Sequence, residues 1–261
     1  MVRRGISYLG REVTSKPKTN GITNKSSIGQ LVVEDYAYAA VFEKHNIDFY
    51  CHGNRTIVSA AKESLVDSNL LIEQLKEIPQ GSTKVEEDYK AWSLTKLADH
   101  IENTHHRFTE AKITELKPLL AKLVEERGNE IPELKELQKV FETSAGDMAS
   151  HMKKEELVLF PFIRKMEETK KSHAQITVPH FGTVENPVNM MLHEHDEQSK
   201  LLQKIKELTN NFTLPKNAGS TLRTAYTNLK AFDIDMHKHI HLENNILFPK
   251  AVALEKTLDK A

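Results

Sequence analysis

Apolar residues recur at three- and four-residue intervals along four long stretches of this chain, and that period belongs to helices. The first stretch opens near Ser93, carries the stripe Leu94, Leu97, Ile101, His105 and Phe108, and stops by Gly128, a helix-terminating glycine. The second starts at Pro132, a first-turn residue, and continues through Leu134, Leu137, Phe141, Met148, Met152, Glu155 and Leu159. The third begins at Asn186-Pro187, a cap followed by a first-turn proline, and shows Met191, His195, Leu202 and Ile205. The fourth shows Tyr226, Leu229, Phe232, Met236, His239, Glu243 and Leu247. Loops with Pro179 and Gly182, and with Pro215 and Gly219, separate the last three stretches. Such connections suit an up-down-up-down four-helix bundle.

Ahead of the bundle, residues from about Leu31 to Ile78 read as a short helical unit. Asp35, Thr56 and Asp67 are placed to cap its helices, and Gly53-Asn54 interrupts them. Pro79-Gln80-Gly81-Ser82-Thr83 has the composition of a linker. The first 30 residues are rich in Ser, Asn, Lys and Arg, with Glu12 the single acid. The predicted organisation is a disordered tail over 1–29, a small helical N-terminal domain over 30–78, a linker over 79–90 and the bundle over 91–255. The fold class is all-α.

Composition narrows the function classes. A chain of 261 residues with 39% hydrophobic and 28% charged residues reads as soluble, helical and globular. A net charge of −1 gives no general attraction to nucleic acid or to an anionic membrane. No apolar run approaches the roughly 20 residues that a spanning helix needs, and no signal peptide is apparent. One cysteine, Cys51, excludes an internal disulfide framework and fits a reducing cytoplasm.

Two segments 88 residues apart carry the candidate chemistry. One is His151-x₃-Glu155-x₃-Leu159-Phe160-Pro161, and the other is His239-x₃-Glu243-x₃-Leu247-Phe248-Pro249. His and Glu four apart share one helix face, so both heads can point at one metal. With 13 His in the chain a lone His-x₃-Glu arises by chance, and His193-x₃-Glu197 is one without the Leu-Phe-Pro tail. Duplication with the tail intact implies two equivalent half-sites and two metals. These residues sit on the apolar stripes, where an unpaired carboxylate costs several kcal/mol. His105, 46 residues before His151, and His195, 44 before His239, complete the two halves. His106 faces about 100° away from His105 and reads as a surface residue or a neighbour of the ligands. His237 and His241 read the same way, His193 faces elsewhere, and His45, His100, His173 and His180 have no partner pattern.

Four imidazoles and two bridging carboxylates would give two metals eight donor atoms. An oxo or hydroxo bridge would then leave about one open position on each octahedral ion. Imidazole with carboxylate and no thiolate suits iron or manganese; a zinc pair would share this donor set awkwardly.

The segments Asp99-His100-Ile101-Glu102-Asn103-Thr104-His105-His106, His151-Met152-Lys153-Lys154-Glu155-Glu156, His193-Glu194-His195-Asp196-Glu197 and His239 through Pro249 resemble the repair-of-iron-centres di-iron proteins, which are hemerythrin-like bundles. The resemblance extends to Val41 through Asn54 and covers about residues 30 to 253. It implies iron ligation by His105, His151, Glu155, His195, His239 and Glu243, with two oxo- or hydroxo-bridged iron ions. It also implies a cytoplasmic stress protein that restores iron–sulfur clusters damaged by NO or peroxide, with damaged iron–sulfur proteins as partners. NO reduction and iron donation are both open, as is a homodimer. The competing expectation is a hemerythrin-like carrier or sensor of O₂ or NO; carriers of that type use five His, against four found in register here. One departure stands out: the family usually carries Cys-Cys-Gly-Gly where this chain has Tyr50-Cys51-His52-Gly53. A single thiol cannot close the disulfide that a vicinal pair can.

Overall fold

The computed structural model describes residues 21–79 and 87–258, and among these it contains helices and no strand. Residues 1–20, most of the expected tail, and 80–86, most of the expected linker, lie outside the described residues.

Four short helices form the small domain: α1 (Ile28–Glu34), α2 (Ala39–Lys44), α3 (Ile57–Glu63) and α4 (Ser68–Glu77). The expected caps are in place. The Thr56 hydroxyl accepts from Ser59 N–H and the Asp67 carboxylate accepts from Asn69 N–H, filling donors that the first turn leaves open. Asp35 caps a 3₁₀ turn, Tyr36–Tyr38, that leads into α2. The domain begins earlier than its hydrophobic pattern suggested. Ser27 caps α1, Ile22 and Ile28 are buried, and so residues 21–29, expected in the tail, belong to the folded unit. The linker likewise ends early, in a 3₁₀ turn at Tyr89–Ala91 whose Tyr89 ring packs edge-on against Trp92.

The bundle is four rods. The first is α5 (Leu94–His100), a π-helical turn (Ile101–His106) and α6 (Arg107–Arg127); the second is α7 (Glu133–Lys154), a π turn (Glu155–Leu159) and α8 (Phe160–Ser172). The third is the unbroken α9 (Glu185–Leu208), starting one residue before the expected cap, and the fourth is α10 (Ser220–Leu242), a π turn (Glu243–Leu247) and α11 (Phe248–Leu258). α6 packs against α7 and α10, and α7 against α9.

The apolar stripes fill two separate clusters. One holds Leu116, Leu120, Leu134, Phe141, Leu202, Leu229, Phe232 and the small domain's Phe42, Phe49 and Ile57. The other holds Leu97, Ile101, Phe160, Ile163, Met191, Leu247 and Phe248. The first and third rods meet the second cluster before the first, whereas the second and fourth rods meet them in the opposite order. That alternation is the up-down-up-down topology. On every rod the His and Glu residues singled out above lie where one cluster gives way to the other.

Phe141 is fully buried and meets Phe232 edge-on, with centroids 5.6 Å apart. Phe141→Ala is expected to cost about 3–5 kcal/mol, since it removes a fully buried ring and leaves a cavity in the core. Urea unfolding of the variant checks this.

Candidate metal centre

Three of the four rods change from α to π geometry where the polar layer begins. A π turn adds a residue to one turn, and such turns recur at functional sites. The duplicated motifs do this at the same place: Glu155 and Glu243 are each the first residue of a π turn, one turn after His151 and His239.

Six side chains converge between the two apolar clusters. His106, His239, Glu155 and Glu243 form one group and His151, His195, Glu155 and Glu243 a second, with the potential ligand atoms of each group within 4.8 Å of one another. Both carboxylates belong to both groups. His239 Nε2 lies 2.9 Å from Glu243 Oε1, and His195 Nε2 3.1 Å from Glu243 Oε2. His106 Nε2 and His151 Nε2 each lie 3.3 Å from Glu155 Oε2. All six side chains are buried.

The structure brings together five of the six residues expected from the sequence, and replaces the sixth. His105 belongs to neither group; His106, expected at the surface or beside the ligands, is completely buried and takes its place. The cause is the π turn at Ile101–His106. Stepping four residues at a time from Leu97 through Ile101 leads to His105 in an α-helix, but one inserted residue carries the inward position on to His106. The signal was present in the spacing: His106 stands 45 residues before His151, closer to the 44 of the other half. His105 donates from Nδ1 to Asp235 Oδ1 at 2.9 Å, its ring stacked 5.8 Å from that of His239. His237 and His241 are also buried, against the small domain; Tyr50 stacks on His237 at 4.1 Å.

Hydrogen bonds outside the six orient three of the imidazoles. Nδ1 of His106 donates to Glu156 at 3.1 Å, that of His151 to Glu194 at 2.9 Å and that of His195 to Asn244 at 2.8 Å. Lys154 in turn pairs with Glu194. An imidazole that donates from Nδ1 turns the Nε2 lone pair inward, the arrangement that metal-ligating histidines use. Glu156, Glu194 and Asn244 escaped the sequence reading because nothing in their spacing marks them.

The donor set fits a metal ion. His151 Nε2 and His195 Nε2 face each other at 3.0 Å, and two neutral imidazoles that both donate outward would oppose lone pairs there unless a proton or a cation lay between. Both oxygens of Glu155, Oε2 of Glu243 and Nε2 of His106 are buried and make no hydrogen bond. Buried carboxylates without hydrogen bonds, facing only imidazole nitrogens, are costly, so a cation is the expected partner. In the metal-free chain protons substitute in part. Burial opposes charge on His106, yet the Glu155 and Glu243 carboxylates raise its pKa to about 10. Burial likewise opposes charge on His151, but Glu155 first, with Glu194 and Glu243, raises it to about 10. Burial alone would raise Glu243; the surrounding His239, His106 and His195 hold it well below the usual carboxylate range.

The region 97–251 matches the hemerythrin HHE cation binding domain, and residues 24–79 match ScdA_N, a domain of unknown function. The chain belongs to the hemerythrin HHE family. Its relatives include the iron–sulfur cluster repair protein YtfE of Cronobacter sakazakii, 32% identical over 88% of this chain and 97% of the relative. YtfE of Dickeya chrysanthemi is 33% identical over 87% and 96%, and the iron–sulfur cluster repair protein ScdA of Staphylococcus haemolyticus is 29% identical over 88% and 99%. The bundle is therefore an iron-type cation-binding domain of the hemerythrin kind, preceded by the small domain that these relatives share. No described helix is long and apolar enough to cross a membrane.

Two expectations follow from the centre. His106→Ala should lose most bound metal while His105→Ala keeps it, read by metal analysis of the purified variants; retention in His106→Ala and loss in His105→Ala would reverse the assignment. Metal uptake should also release protons, since His106 and His151 both carry one at neutral pH while their pKa stands near 10. The sign is that affinity rises with pH, by up to about 10-fold per unit for each imidazole below its pKa. Calorimetric titration in buffers of different ionisation enthalpy counts the protons.

Proposed function

We propose that this chain binds two iron ions and supports the repair of iron–sulfur clusters damaged by nitrosative or oxidative stress. One iron is held by His106 and His239, the other by His151 and His195, and Glu155 and Glu243 serve both. The single observation that carries this reading is the sharing of both carboxylates by two four-residue groups. The repair role rests on the printed function of the relatives, which match nearly end to end. A cytoplasmic setting agrees with the single free cysteine, and damaged iron–sulfur proteins are the partners.

When bound, iron would supply one-electron chemistry toward small ligands such as NO, O₂ or peroxide. The residues of the chain do the rest. Glu155 and Glu243 place their charge midway between the two groups, which compensates two cations at once. Glu156, Glu194 and Asn244 hold three rings so that Nε2 alone faces inward. The apolar clusters above and below exclude water and keep the local dielectric low, strengthening each charge interaction in the layer. Among the described residues the two groups together contain four imidazoles, two in each, which favours the repair reading over the carrier reading, since carriers fill one more position with His.

The test is direct. The reconstituted protein should hold about two irons per chain, and Glu155→Ala or Glu243→Ala should lose both, whereas Glu197→Ala, an exposed residue paired with Lys200, should lose neither. Mixed anaerobically with NO, the reduced wild-type protein should restore activity to an NO-damaged iron–sulfur enzyme. A single tightly held zinc per chain, or reversible NO binding without any reactivation, would overturn the proposal.

A further inference from the structure

The matched N-terminal domain has no stated function, and its contacts with the bundle supply one. The domain meets the fourth rod at the π turn that begins with Glu243. Asn244 donates from Nδ2 to the Tyr50 carbonyl at 3.1 Å, and Asn245 donates to the Phe49 and Tyr50 carbonyls at 3.1 and 3.3 Å. Close approach here depends on two glycines. A Cβ on Gly53 would stand 2.3 Å from Asn245 Oδ1 and 2.6 Å from the Phe49 carbonyl, and one on Gly29 would stand 2.5 Å from Asn245 Oδ1. The Cys51 thiol completes the contact, donating to the backbone carbonyl of His195 at 3.4 Å.

The amide of Asn244 has two different ends, and the small domain decides which way they point. A backbone carbonyl only accepts, so the NH₂ must face Tyr50 and the oxygen must face away from it. That oxygen is the acceptor for His195 Nδ1 at 2.8 Å. Facing an acceptor, Nδ1 must carry a proton, which leaves Nε2, facing His151 and Glu243, as the nitrogen that can ligate. The partners of His106 and His151, Glu156 and Glu194, are carboxylates of the bundle itself, which accept whichever oxygen is presented. An amide that rotated by half a turn would instead offer His195 a donor.

We propose that the small domain is a clamp on the metal centre: through the Tyr50 carbonyl it orients Asn244, a positioning residue, which fixes the tautomer and ring of His195. Undocking the domain frees the Asn244 amide, loosens His195 and weakens the hold on one of the two metals, the one bound by His151 and His195. This rests on the ligand assignment above and gives the domain a part in releasing or retaining iron, with Cys51 needed at the contact rather than as half of a dithiol.

The test uses the full-length protein loaded with iron, and follows transfer to a ferrous chelator alongside the rate at which Cys51 reacts with a thiol reagent, which reports docking. Burial pushes the Cys51 thiol far up, so reaction in the docked state should be slow. Gly53→Ala should speed thiol labelling and release one iron of the pair about 10-fold faster, by comparison with the loss that follows when a ligand's hydrogen-bond partner is removed. Asn244→Leu should release that iron about 10–100-fold faster. Asn244→Asp repels the Tyr50 carbonyl but keeps an oxygen facing Nδ1, so labelling should accelerate while both irons stay slowly released. In the metal-free protein, ¹⁵N NMR should show the Nδ1–H form of His195 in wild type and Asn244→Asp, and a mixture of forms in Gly53→Ala. Fast labelling of Gly53→Ala with unchanged iron release and an unchanged His195 tautomer would overturn the clamp. His195→Ala separates the two levels: full iron retention there would overturn the ligand assignment and the clamp with it, whereas loss there with none in Asn244→Leu would overturn the clamp alone.

Discussion

Two carboxylates buried at the centre of an apolar bundle are the constraint that the rest of this structure answers to. Glu155 and Glu243 are completely shielded from water, and an isolated ionised carboxylate in such a place would be far more costly than the marginal stability of a domain allows. Four imidazoles surround them, three rods take on a π turn to bring them there, and three of the imidazoles are themselves anchored from behind. The arrangement is self-consistent only when positive charge sits among the donors, supplied by protons in the metal-free chain and by metal in the loaded one.

The same constraint explains why the apolar interior is split in two. A polar layer across the middle of a bundle interrupts the core, so each half must be large enough to hold the rods in register on its own side. Phe141, Phe232 and the leucines of α6 and α7 do this on one side, and Phe160, Phe248 and Ile163 on the other. The halves act as walls that fix ring positions and keep water out of the layer. Binding and reactivity at the layer are thus properties of the packing as much as of the six side chains.

The small domain extends that logic beyond the bundle. Its residues Phe49 to Gly53 are pressed onto the fourth rod where the second carboxylate resides, and its packing merges with one of the two apolar clusters. One thiol, that of Cys51, takes part in this contact. Beside it, Tyr50 supplies a ring that stacks on His237 and a hydroxyl 3.3 Å from that of Ser199.

Much of this was legible in the sequence. Helical period, caps at Thr56 and Asp67, and the doubled His-x₃-Glu with its Leu-Phe-Pro tail reveal an all-α bundle with a two-part site, because helical spacing and side-chain chemistry are local properties. The resemblance to repair-of-iron-centres proteins agrees with the hemerythrin and ScdA_N domains of the chain. What the sequence could not reveal was register through a π turn. Regular stepping along the first rod ends at His105, and only the extra residue in the turn at Ile101–His106 shows that His106 faces the carboxylates. The start of the small domain was misjudged for a related reason: residues 21–29 look polar and tail-like, yet Ser27 caps α1 and Ile22 finds a buried place once the domain has folded around it. Glu156, Glu194 and Asn244 were invisible because a hydrogen bond across 43 to 50 residues leaves no periodic trace. Local chemistry named the ligand types and tertiary packing chose the individual residues, since a helix carries period along the chain but only its neighbours determine which side of each turn faces in.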